Sequence, residues 1–151
     1  MMQSLNLPQF EPKIIKESGK YRIFDLIRKK YVVLTPEEWV RQHFINYMLK
    51  ALNYPKSLIK VESGLKLNAL QKRSDILIHD REGKAWMLVE CKAPEIALDQ
   101  KVFNQATIYN MTIRARFIVV TNGMLHYCFK PFPGDQTPEF LNGLPAFDQK
   151  V

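Results

Sequence analysis

RSDILIHDREGKAWMLVECKAP, running from Arg73 to Pro94, is the stretch that decides the fold. Ser74 to His79 alternates apolar and polar residues, and Asp80-Arg81-Glu82-Gly83 has the composition of a turn in which glycine supplies a positive φ. Lys84 to Lys92 is again strand-like, so the stretch is expected to be a β-hairpin. With the turn centred near Arg81 and Glu82, antiparallel pairing sets Asp75 opposite residues 88 to 90, with facing Cβ atoms about 5 Å apart. The carboxylates of Asp75 and Glu90 could then share an ion. Side chains alternate along a strand, so Glu90 and Lys92 point one way while Val89 and Cys91 point the other.

Two acids and a lysine so placed suit a particular chemistry. Hard cations such as Mg2+ or Mn2+ prefer carboxylate, carbonyl and water oxygens, and Asp75, Glu90 and the Cys91 backbone carbonyl offer such a set. A metal there would activate water and neutralise charge on a phosphate oxygen, with Lys92 orienting the attacking water. The reaction this points to is phosphodiester hydrolysis. An ordinary surface hairpin with a weak exposed ion-pair cluster would carry the same three residues. The flanking residues bear on the choice, because Glu90 follows the apolar run Met87-Leu88-Val89, which reads as a buried strand. An acid is costly there unless it is paired or bound to metal.

After Lys92, Ala93-Pro94 ends the strand, and Asp99 to Met111 places Val102, Phe103, Ala106 and Tyr109 at helical spacing. Gln105 and Tyr109, four apart, are expected to share a face of that helix.

The order Asp75, Glu90-Cys91-Lys92, then Gln105-Ala106-Thr107-Ile108-Tyr109 resembles the PD-(D/E)xK nuclease superfamily, in the branch whose motifs are D, ExK and QxxxY, as in RecB-type nucleases. More narrowly, LTPEEWVRQHF at Leu34 to Phe44, RSDI, VECKAP and VVTNG at Val119 to Gly123 look like the N-terminal nuclease domain of type I restriction enzyme R subunits. The resemblance spans Lys20 to Lys130. It implies that Asp75 and Glu90 are metal ligands, that Lys92 positions water or stabilises the transition state, and that Gln105 and Tyr109 line the DNA side of the site. Ser74 stands where the motif name has proline. The resemblance also points to an acid on the first helix, Glu38 or Glu37. Thr35-Pro36-Glu37-Glu38 reads without it as a capping box, threonine at N-cap and proline at N1. Arg73 would share the face of Asp75, where it could hold a phosphate or set the Asp75 carboxylate, or form a solvated strand end.

Composition agrees with one small domain spanning residues 1–151. At 46% hydrophobic content the chain can bury one sizeable core. Cys91 and Cys128 have no metal or redox spacing and suit a reducing compartment, His43, His79 and His126 are scattered, and no run approaches a membrane span. With no secretory leader either, cytoplasm is the expected location. The net charge of +7 favours an anionic partner, and beside a phosphodiesterase site it favours nucleic acid. No GxxxxGK[ST] motif occurs, so motor or specificity functions would come from other chains. A homodimer would suit the cutting of both strands of a duplex. The competing reading is a catalytically silent module that binds nucleic acid or protein on the same fold.

The remaining elements fall into order. Residues 1–12 read as a loose N-terminal arm, Ile14 to Arg28 as strand material broken at Ser18-Gly19, and Arg28-Lys29-Lys30 as a solvated basic turn. Helix is expected from Pro36 to Leu52, a strand near Leu58 to Glu62, and a loop or continued strand from Gly64 to Gln71. Glu62 is a further acid whose part is left open. Phe117 to Thr121 reads as a buried strand turning at Asn122-Gly123 into Leu125 to Phe129, and residues 131–151 as an irregular proline- and glycine-containing tail. The core order α-β-β-β-α-β predicts an α/β (α+β) fold, a restriction-endonuclease-like mixed sheet flanked by helices.

Overall fold

The hairpin of Arg73 to Pro94 forms the middle of a larger sheet. A computed structural model of the chain describes residues 2–62, 65–67, 70–72, 75–131 and 137–147, with side chains described outside 62–75. Strands β1 (Ile14–Glu17), β2 (Lys20–Asp25) and β3 (Lys30–Val33) make an antiparallel three-stranded sheet. Helix α1 (Pro36–Asn46) continues through a π-helical turn at Tyr47–Ala51 and a short 3-10 turn at Lys56–Leu58 into β4 (Ile59–Glu62). There follow β5 (Leu65–Leu67), β6 (Leu70–Lys72), β7 (Asp75–His79), β8 (Ala85–Cys91), α2 (Gln100–Ile113), β9 (Phe117–Thr121), β10 (His126–Lys130) and β11 (Glu139–Leu141). The main sheet is six-stranded in the order β11-β10-β9-β8-β7-β4, and β5-β6 is a two-stranded sheet of its own.

The β7-β8 hairpin closes where its sequence permits. Asp80 Oδ1 accepts from the backbone N–H groups of Glu82 and Lys84, both at 2.9 Å, and Gly83 takes φ +84°. A bulge between Ile78 and His79 shifts the register near the turn. Strands β8 and β9 run parallel, which requires a crossover, and α2 supplies it. The sheet is thus mixed, as the element order predicted.

Period-two alternation divides the apolar residues between two helices. Ile76, Ile78, Met87, Val89, Cys91, Phe117, Val119 and Cys128 pack with Val40, Phe44, Ile45 and Met48 from α1 and its continuation. On the other face Leu77 and Leu88 meet Tyr109, and Ile118, Val120 and Phe129 meet Val102 and Ala106 of α2. The result is a helix–sheet–helix sandwich. Thr35 caps α1 through its Oγ1, which accepts from the Glu38 N–H at 3.0 Å, and Asp99 caps α2 by accepting from the Val102 N–H at 3.1 Å. Among the described residues no helix is long and apolar enough to cross a membrane.

Described residues at both ends of the chain pack onto the body. The segment read as a loose arm is tied down: the Asn6 N–H donates to Gly123 O at 2.8 Å and Trp39 Nε1 to Gln3 O at 2.8 Å, while Leu5 and Leu7 pack on the core. Gly123, at φ +85°, makes room for this, since a Cβ there would stand 2.9 Å from Leu5 Cδ2. Leu5 and Leu7, just ahead of Pro8, give the arm its anchorage. The tail read as irregular contributes the edge strand β11, and Leu141, Leu144 and Phe147 join the core. Tyr54 Oη donates to Pro145 O at 2.6 Å. These segments lack periodicity because they follow a preformed surface.

His126 latches the arm. Its Nε2 lies 2.8 Å from Asn6 O and its Nδ1 2.7 Å from Thr121 Oγ1. A carbonyl only accepts, so Nε2 carries the proton and Nδ1 accepts from the threonine hydroxyl. Burial holds the imidazole below its ordinary pKa of 6.5, partly offset by the bond to Asn6. The latch is therefore complete above that pKa and is lost as pH falls through it, because the unfolded chain binds the proton more readily. The melting temperature is expected to fall more for the parent than for His126→Asn between about pH 7.5 and 5.5. Parallel curves would remove His126 from this role.

Candidate functional site

The pairing register collects acids into a row. Ile76 pairs with Val89 and Leu77 with Leu88, and the next step of that register brings Asp75 to Glu90. On the other side of β7, Asp75 pairs with Glu62 of β4. Three neighbouring strands thus carry Glu62, Asp75 and Glu90 in line, with backbones separated by about 4.8 Å per strand. The hairpin expectation placed Asp75 beside residues 88 to 90, and the strands agree. Glu62 enters the row because β4 pairs with β7 along its whole length, a long-range fact with no local signal.

Glu90 is 3% exposed, in a strand whose neighbours are apolar. It pairs with Val120, which packs against α2, so its side chain shares the α2 face with Leu88. Met87, Val89 and Cys91 lie on the α1 face, as alternation requires. Lys92 follows the strand end, half-buried, and its N–H donates to Thr121 O at 2.8 Å. That bond closes the last pair of the parallel ladder, Cys91 with Thr121, and fixes the backbone of Lys92 at the strand end. Beyond it, Asn122 Nδ2 donates to Ile96 O at 2.8 Å, fixing the loop that leaves the site. The VECKAP and VVTNG segments are therefore neighbours.

Of the other candidates, Gln105 is exposed on α2, while Tyr109 is 3% exposed and packs with Leu77, Leu88 and Ala115. Spacing of four suggested one shared face, but Tyr109 is buried against the sheet while Gln105 stays in solvent. Arg73 lies outside the described residues, and the side chain of Asp75 is not described. Among the described residues no group of three His, Cys, Asp or Glu gathers as a metal set. His43 is buried, with Nδ1 donating to Trp39 O at 2.8 Å and its ring against Phe10 and Trp39.

Glu38 differs most from expectation. Both its oxygens accept from Arg28 Nη2 at 3.1 Å, Oε1 also accepts from Arg41 Nη1 at 2.6 Å, and Oε2 from Gln42 Nε2 at 2.8 Å. Two guanidinium groups on one carboxylate make it a poor cation ligand, because a metal would have to displace or oppose them. Glu38 is instead one corner of a buried network. Asp25 Oδ2 accepts from Arg28 Nε at 2.6 Å and from Gln42 Nε2 at 3.0 Å, and its Oδ1 accepts from the N–H groups of Ile27 and Arg28. Burial alone would raise the Asp25 pKa, but these bonds and the Arg28 charge hold it below its ordinary value. Arg28 is thus no solvated turn residue. It joins the β2-β3 turn to α1. The capping box forms only in its threonine half, since the Glu38 side chain serves this network.

Residues 36–145 match the family described as type I restriction enzyme R protein N terminus. No curated protein and no solved structure matches the chain.

Proposed function

The chain belongs to the type I restriction enzyme R protein N-terminus family, and on that footing we propose that it is a magnesium-dependent DNA nuclease domain that hydrolyses phosphodiester bonds. The observation that carries this reading is the Ile76–Val89 pair, one step from Asp75 on β7 and from Glu90 on β8, with Glu90 a nearly buried acid in an apolar strand. Oxygen donors of this kind fit a hard divalent cation, and Asp75, Glu90 and the Cys91 carbonyl would hold Mg2+ or Mn2+. Once bound, the ion supplies charge neutralisation at a phosphoryl oxygen and a lowered water pKa.

The rest of the chemistry falls to side chains of this chain. Lys92, two residues after Glu90 and steadied by the bond of its N–H to Thr121, donates hydrogen bonds to the attacking water and to a non-bridging phosphate oxygen. Gln105, exposed on α2, is free to meet the DNA, and Arg73 can neutralise an adjacent phosphate. Tyr109 acts as a positioning residue, holding α2 against Leu77 and Leu88. In this reading motor and specificity subunits on other chains bring the DNA, in the cytoplasm, and two copies serve the two strands.

The test is cleavage of linear, circular and single-stranded DNA with magnesium, with manganese and with chelator. Cutting that requires the ion is the expected result. Cutting unaffected by chelator sinks the metal mechanism, and DNA binding without cutting under every condition turns the weight to a silent binding module.

A further inference from the structure

Residues 13–33 hold seven of the chain's 22 lysines and arginines against two of its 15 acids, so most of the +7 charge resides in and around the β1-β2-β3 sheet. Strand register sorts these side chains between two faces. Lys20, Arg22 and Phe24 alternate onto one face of β2, where their partners are Glu17 and Ile15 of β1 and Val33 and Tyr31 of β3. None of these residues is buried, whereas Ile23 and Asp25, on the other face of β2, are fully buried. The first face therefore looks outward, and the bonds of Arg28 to Asp25 and Glu38 hold the sheet to α1.

We propose that this outward face is a track for a single strand of DNA, with Lys13, Lys20 and Arg22 meeting its phosphates and the Phe24–Tyr31 pair meeting a base. The cations stand on one side of the sheet at successive steps. Lys20, Arg22 and Phe24 follow one another at about 6.6 Å along β2. Lys13 lies level with Phe24, since its O accepts from the Phe24 N–H at 2.9 Å and its Nζ stands 5.7 Å from the centre of the Phe24 ring. The rings of Phe24 and Tyr31 meet edge to face with centroids 5.2 Å apart. Aromatic rings beside a row of cations hold unstacked bases and backbone together without regard to sequence. Arg22 lacks an acceptor of its own: among the described residues its guanidinium approaches only Glu17, whose Oε1 lies 3.7 Å from Nε, and Nε makes no hydrogen bond. A phosphate oxygen supplies the charge-assisted partner that this planar fork is missing. The Glu17 side chain is 63% exposed, and an ion pair so exposed contributes little, so a phosphate displaces it at small cost.

The proposal rests on the nuclease reading for its purpose, but its test reads binding alone. Affinity of the chain for a short labelled mixed-sequence DNA strand is measured against salt concentration, with chelator present to silence metal-dependent cutting. Removing three phosphate contacts by Lys13→Gln/Lys20→Gln/Arg22→Gln is expected to make the slope of log K against log salt shallower by about 2, with affinity roughly 100-fold lower at about 0.1 M salt. Tyr31→Leu keeps the charge and should lower affinity about tenfold at the parental slope. Lys13→Arg/Lys20→Arg should keep both slope and affinity. Lys50→Gln/Lys56→Gln/Lys84→Gln removes the same charge from exposed positions outside this sheet and should leave the slope unchanged. An unchanged slope in the first variant, an equal change in the last, an unaltered affinity in Tyr31→Leu, or no binding by the parent would each overturn the proposal. So would tighter binding of a duplex than of the single strand, or equal competition by polyglutamate, which would make the face a contact for polyanions in general. The expected slopes in a protein that never cuts would uphold the track and sink the nuclease reading.

Discussion

Glu90→Gln is expected to lower magnesium-dependent DNA cleavage by at least about 10²–10³-fold while the domain melts within a few degrees of the parent. The substitution keeps the volume and hydrogen-bonding capacity of the side chain and removes only its charge. A carboxylate that holds an ion cannot be replaced by an amide without weakening that ion's binding, whereas packing on the α2 face near Leu88 and Val120 is unchanged. Asp75→Asn should behave in the same way. Lys92→Ala should abolish cleavage without abolishing ion binding, because its ammonium acts on water and phosphate. Rates and melting curves measured on the same preparations separate a chemical role from a structural one. A Glu90→Gln protein that cuts as fast as the parent would remove Glu90 from the site, and one that no longer folds would make it a residue of the core.

The second large effect is on stability. Arg41→Ala is expected to cost about 3–5 kcal/mol, or roughly 10 °C in melting temperature, because it strips a cation from buried Glu38. Arg41 is 1% exposed and bonds Glu38 at 2.6 Å and Glu37 at 3.0 Å. One guanidinium thus ties two acids of the first turn of α1 together. Arg41→Lys should recover little of the loss, since an ammonium is a compact point charge and cannot reproduce a planar fork spanning Glu37 and Glu38. Denaturant titration gives the number. A loss below about 1 kcal/mol would mean that Arg28 and Gln42 suffice to neutralise Glu38.

These two predictions separate acids that look alike in sequence. Glu38 and Glu90 both stand near apolar residues, and the family resemblance implied both as site residues. What distinguishes them is the company they keep in space: Glu38 is met by Arg28 from a turn ten residues earlier and by Arg41 and Gln42 from its own helix. The contacts within the helix follow from spacing of three and four. The contact with Arg28 needed the β2-β3 turn to be folded over α1, and nothing local announces that. Tyr109 shows the same limit, for its spacing from Gln105 was legible but its burial against Leu77 and Leu88 was not.

Several features followed from sequence alone because their causes are local. Alternation from Ser74 to Lys92, a turn closed by Asp80 and Gly83, Thr35 before Pro36, and the apolar spacing of Val102, Ala106 and Tyr109 depend on interactions within a few residues, so the central hairpin and both helices were readable. The same hairpin register already put Asp75 beside Glu90. Tertiary structure decided the rest: that Glu62 completes the row, that Glu38 belongs to a buried ionic network, and that Leu5, Leu7, Leu141, Leu144 and Phe147 close over the core. Each of these rests on pairing or packing between segments distant in sequence, where the free energy comes from burial and from long-range hydrogen bonds, and a chain read in order carries no local record of it.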